Sequence, residues 1–99
     1  MWFTINTSFT AMPQVTINAN NISHIHEGGD VANNRNMSIY FNNGSDYEVL
    51  TFETQVDGDG TKLVQILSDH LYQLPNLRTN VVDTKGIVIT SVQKDTPTP

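Results

Sequence analysis

The chain has 99 residues, ten acidic side chains against five basic ones, and a formal net charge of −5 at neutral pH. That length fits one domain with a small core. The charge excludes a high-affinity binder of duplex DNA, because Arg35, Lys62, Arg78, Lys85 and Lys94 are scattered and displacing condensed counterions takes several clustered cations. Cysteine is absent, which removes disulfides, thiolate metal ligands and cysteine nucleophiles.

The opening MWFTINTSFT carries neither a basic region nor an apolar run of signal-peptide length, and nothing further on is apolar for long enough to span a membrane. The expectation is a soluble cytoplasmic protein. Residues 2–8 alternate, with Trp2, Thr4, Asn6 and Ser8 on one side and Phe3 and Ile5 on the other, which predicts a half-buried strand. Pro13 interrupts the run. Val15 and Ile17 alternate again in VTIN at 15–18, and Asn18 to Asn21 is turn composition. In ISHIHE at 22–27, Ile22 and Ile25 stand three residues apart. A regular strand cannot point both at one core, so the spacing predicts a bulge or turn at about Ser23.

GGDVANNR at 28–35 reads as a surface loop. In SIYFNNGSDYEVLTF, Asn43-Gly44 between alternating runs predicts a hairpin. A three-residue loop at 42–44, with Gly44 in the left-handed conformation, pairs Phe41 with Ser45, Ile39 with Tyr47 and Met37 with Val49. QVDGDG then interrupts the strand. In TKLVQILSDHLYQL, residues Leu63, Ile66, Leu67, His70, Leu71 and Leu74 form one apolar stripe and predict a helix at about 61–74. Asp59 or Thr61 can cap it and Pro75 ends it. GIVITSV predicts a last strand at 86–92, and the proline-containing end at 94–99 predicts a disordered tail. The class is mostly β (α+β), a single domain at 1–93 built as a small, strongly bent five-stranded barrel with one amphipathic helix.

Chemistry-bearing groups are few. His24 and His26 are at i and i+2, so on a regular strand both imidazoles share a face and are the only candidates for a metal pair. Glu27 points to the other face, Asp30 and His70 could approach only through the fold, and the later acidic residue and second histidine motif of a cupin-type site are absent. The expectation is therefore no metal and no cofactor, with the histidines at the surface or at an interface. DGDG at 57–60 begins like a calcium loop, but Thr61, Lys62 and Ser68 stand where further ligands belong, so it reads as a loop and helix cap. Ser68-Asp69-His70 places its groups on different helical faces and is no triad. No catalytic residue is expected.

The hairpin SIYFNNGSDYEVLTF resembles the first conserved segment of Sm-like (LSm/Hfq-type) proteins, and TKGIVITSV is similar to their second. Lys85-Gly86 takes the place of the Arg-Gly pair that precedes the final apolar strand there. The chain departs from the family in having Glu48 or Val49 near the usual glycine position and no asparagine within VDGDG. Short asparagine-rich chains of this kind also look like small cyanophage proteins, which would place this one in a host cytoplasm. The resemblance implies an Sm/SH3-like barrel that joins edge strand to edge strand. It also implies a cyclic homo-oligomer and single-stranded RNA held by Lys85 and Gly86 with Asp57 or Asp59 in the opposing loop. The alternative is a phage structural or host-modulating oligomer that binds a host protein instead of RNA, with Trp2, Tyr40 and Tyr72 as interface anchors.

Overall fold

A computed structural model describes residues 1–27, 33–42, 49–76 and 80–95. In chain order the elements are β1 (Trp2–Asn6), β2 (Gln14–Asn18), a 3-10 turn (Ala19–Asn21), β3 (Ile22–Glu27), β4 (Asn36–Phe41), β5 (Val49–Thr54), α1 (Asp59–Gln73), a second 3-10 turn (Leu74–Asn76) and β6 (Ile89–Asp95). β1 and β2 make a two-stranded antiparallel sheet, and β3-β4-β5-β6 make a four-stranded antiparallel one. The class is mostly β with one helix. Among the described residues the six strands lie in two sheets and not in one closed ladder. A single backbone bond, from the Ser8 amide to the Ile89 carbonyl (2.9 Å), ties the chain after β1 to the start of β6.

Strand parity divides the larger sheet. Met37, Ile39, Leu50, Phe52, Ile89 and Val92 face inward and are buried, together with Leu63 and Leu67 from α1. Phe3, Ile5, Val15 and Ile17 from the small sheet close the same core. The opposite face of the large sheet carries His24, His26, Tyr40, Thr51 and Gln93. On that face the Ser38 and Thr51 hydroxyls are 3.1 Å apart and hydrogen-bonded. The predicted irregularity at Ser23 is present: the pairing of β3 with β4 shifts between Ile22 and His24, and this lets Ile22 and Ile25 both pack on the core.

Four expectations are corrected. The hairpin register is Ile39 opposite Leu50 and Met37 opposite Phe52, three residues away from the predicted pairing. YEVLTF is apolar in both parities, and packing against α1 selects the face with Leu50 and Phe52 over the one with Val49. The Asn43-Gly44 turn itself and Glu48 lie outside the described residues, as do Gly28 to Ala32 of the predicted loop. β6 begins at Ile89, not at residue 86, because Lys85 and Gly86 are consumed by a turn. It also runs on through Lys94 and Asp95, which pair with Leu50 and Val49. Only 96–99 of the predicted tail lie outside the described residues.

The fourth correction concerns the start of α1. Neither Asp59 nor Thr61 is the N-cap; Gly58 holds that position with φ 85° and no side-chain cap bond. The amide donors that a cap would serve meet backbone oxygen instead. Gly58 donates to the Asn33 carbonyl and Gly60 to the Asn34 carbonyl, both at 2.8 Å. Gly60 is buried against the start of β4, where an added Cβ would stand 2.5 Å from the Arg35 carbonyl carbon and the Asn36 nitrogen. DGDG is thus the clasp between helix and sheet.

Gly60→Ala sets two effects against each other. Helix propensity favours alanine by about 1 kcal/mol, while overpacking costs roughly 1–3 kcal/mol or more, with the upper end expected where the clash is with backbone atoms at 2.5 Å. Net destabilisation is expected in chemical denaturation. Gly58→Ala, whose Cβ would meet nothing within 4 Å, should lose only the left-handed backbone cost of about 1–2 kcal/mol. A Gly60→Ala protein as stable as the parent would show that the clasp is not tight.

Candidate functional site

The segment after α1 helps to build a recess beside the helix. Residues 80–82 run beside β1: the Thr4 amide donates to the Asn80 carbonyl (2.7 Å) and the Val82 amide to the Thr4 carbonyl (2.9 Å). This parallel bridge between Thr4 and Val81 holds the segment under the C-terminal half of the helix. A tight turn follows, closed by the Ile87 amide on the Thr84 carbonyl at 3.0 Å. Its central residues, Lys85 and Gly86, have φ 53° and 86°, both positive as in a type I′ turn. Lysine is strained there; the Asp83 carboxylate offsets this by accepting from the Lys85 amide at 2.9 Å.

The resulting cavity is about 270 Å³, at the small end of ligand pockets. Ile66, Val81 and Val82 supply apolar walls, while Asp69, Gln73, Asp83 and Lys85 bring polar groups to it. A recess with apolar walls and an amide, carboxylates and one ammonium in its lining can take a small, partly apolar group and hydrogen-bond its polar atoms.

His70 borders the cavity and turns inward, its ring centroid 5.9 Å from that of Phe3. Its Nε2 is buried and has no hydrogen-bond partner among the described residues. Burial penalises the imidazolium and lowers the His70 pKa below its ordinary 6.5.

The residues singled out from sequence fall in three places. Lys85 lines the cavity, and Gly86 completes its turn. Asp57 and Asp59 sit at the far end of α1, about 16 Å along the axis from His70 at 1.5 Å per residue. Asp57 accepts from Arg35 Nε at 2.5 Å, and Asp59 lies 3.7 Å from Lys62 Nζ. The fold does not bring these carboxylates together with Lys85. His24 and His26 stand on the exposed face of the large sheet, stacked with Tyr40.

Sequence reasoning missed Val81, Val82 and Asp83 as cavity residues. VVD has no periodicity to place it, since its role comes from a bridge to Thr4 more than seventy positions earlier. The D-T-K-G string was readable as turn chemistry. Among the described residues no helix is long and apolar enough to cross a membrane. Protein-family models, curated proteins and solved structures contain no match to this chain.

The lowered pKa of His70 fixes a sign. The unfolded chain binds the proton more tightly than the folded one, so stability present above pH 6.5 declines as the pH falls below it. Denaturation midpoints between pH 7.5 and about 5.5 should therefore drop more steeply for the parent protein than for His70→Leu. Parallel profiles would remove the buried neutral imidazole as the cause.

Proposed function

We propose that this chain is a non-enzymatic binding module that takes an unpaired RNA base in the cavity beside Lys85. The observation carrying this reading is that Lys85 lines one recess together with apolar Ile66, Val81 and Val82 and polar Gln73, Asp69 and Asp83. Single-stranded RNA is recognised through splayed bases, which need an apolar sandwich and a polar edge. One lysine at the rim supplies a phosphate contact. With a net charge of −5 the electrostatic contribution is small, so affinity rests on the base and the site suits single strands, not duplexes.

The module works as a cyclic Sm-like homo-oligomer in the cytoplasm of a host cell. Two features support the assembly. Among the described residues β3 and β6 are the outer strands of the large sheet, and outer strands offer backbone groups to a further strand. β2 passes into β3 through one 3-10 turn, and the Ser8 amide donates to the Ile89 carbonyl, two links between the sheets that support a bent, barrel-like arrangement. The second reading, an oligomer that engages a host protein, draws on exposed Trp2 and on Tyr72, whose surface is 88% exposed.

Fluorescence anisotropy with short oligo(U) and oligo(A) at low salt tests the RNA reading. Binding is expected with a log–log salt slope near −0.7, about one phosphate contact. Lys85→Asn should abolish the slope and weaken binding. It should leave stability unchanged or raised by up to about 1 kcal/mol, because asparagine tolerates the left-handed turn position. No binding at low salt overturns the RNA reading in favour of the protein-partner one. Solution mass by light scattering tests the assembly: a multiple of 11.0 kDa is expected, and a monomer at micromolar concentration overturns the ring.

A further inference from the structure

His24 and His26 project from β3, an edge strand, on the face opposite the core. Their Nδ1 atoms are both engaged. His24 Nδ1 meets the Ser23 hydroxyl at 3.1 Å, and His26 Nδ1 meets the Glu27 carbonyl oxygen at 2.7 Å. A carbonyl only accepts, so His26 carries its proton on Nδ1 and the neutral ring keeps its lone pair on Nε2. An Nδ1–H held by a backbone carbonyl is the arrangement that orients metal-ligating imidazoles.

The rings are also placed relative to each other. His24 and His26 lie 4.4 and 4.7 Å from the Tyr40 ring, with interplanar angles of 9° and 21°, and 5.3 Å from each other at 12°. With the phenol between them, the imidazoles would be separated by nearly the sum of the two phenol distances. They are much closer, so both lie side by side against one face of Tyr40. Metal–nitrogen bonds of about 2.0–2.1 Å put an ion about 3 Å from each ring centre, and a tetrahedral angle then separates the centres by about 5 Å. The observed spacing meets that requirement with the two rings nearly coplanar.

We propose that His24 and His26 together chelate one divalent transition-metal ion of the Cu2+, Ni2+ and Zn2+ group through their Nε2 atoms. Tyr40 is the platform that keeps the rings in register. Imidazole nitrogen suits these ions and not Ca2+ or Mg2+. Among the described residues no third histidine, aspartate or glutamate joins the pair, and two imidazoles leave coordination positions for further ligands. The 5.3 Å spacing matches the tetrahedral angle that Zn2+ prefers, while the general affinity order favours Cu2+. The site lies across the sheet from α1 and the Lys85 cavity, and neither proposal depends on the other.

Calorimetric titration of the untagged protein with Cu2+, Ni2+ and Zn2+ tests the site. One ion per chain is expected, with nitrogen hyperfine structure in the Cu2+ electron paramagnetic resonance spectrum. His24→Asn and His26→Asn should each weaken binding by more than about tenfold, with far-UV circular dichroism confirming the fold. His70→Gln removes the third of the chain's three histidines and should leave the titration unchanged. Absence of binding at millimolar ion overturns the proposal, and so does binding that persists in the His24→Asn, His26→Asn double variant.

Discussion

The close approach of the α1 backbone to the start of β4 is the constraint on which the fold depends. Only a residue without a side chain at position 60 allows it, since a Cβ there would strike the Arg35 and Asn36 backbone. The contact satisfies helix amides with strand-side carbonyls, the task otherwise given to a capping side chain. It also sets the axial position of the helix, and thereby which turns lie over the core. Leu63 and Leu67 enter it; His70, one turn further on, meets Phe3 and the edge of the cavity. The Arg35–Asp57 pair beside the clasp is between exposed side chains and contributes little by itself. Backbone complementarity holds this junction.

The helix covers one face of the large sheet and leaves the other free to carry chemistry. Along β3 and β4 the same period of two that turns Ile25, Met37 and Ile39 toward the core delivers His24, His26 and Tyr40 to the open side. The bulge at Ser23 matters to both faces. It shifts the phase so that Ile22 joins the core, and from His24 onward the strand runs regularly with both histidines on the outside. The cavity arises differently, from a strand-like segment pinned to β1 and a strained turn pinned by Asp83. One site is local in sequence; the other is assembled from β1, α1 and the 81–85 segment.

That difference explains what was legible. The helix stripe, the two N-terminal strands and the irregularity at Ser23 follow from periodicity, because a residue's face is decided by its near neighbours. The β5 register was not readable, since Tyr47, Val49, Leu50 and Phe52 put apolar side chains in both parities and only the helix chooses between them. The start of β6 was placed too early because Gly86 reads as the head of an apolar run, whereas the fold spends it with Lys85 on a reversal. Asp57 and Asp59 were grouped with Lys85 through a resemblance. The helix that intervenes keeps them at its opposite ends.

The sequence by itself determined the element types, the acidic balance, the absence of thiol chemistry and the pairing of two imidazoles on one strand face. Each of these is a property of composition or of spacing within a few residues. Only the tertiary structure decided which parity of β5 is buried, that Gly60 must be glycine, that Tyr40 backs both histidines, and that Lys85 meets His70 and Asp69 across a cavity. Those facts depend on contacts between segments far apart in the chain, where close packing and backbone hydrogen bonding select one arrangement from several that local preferences allow equally well.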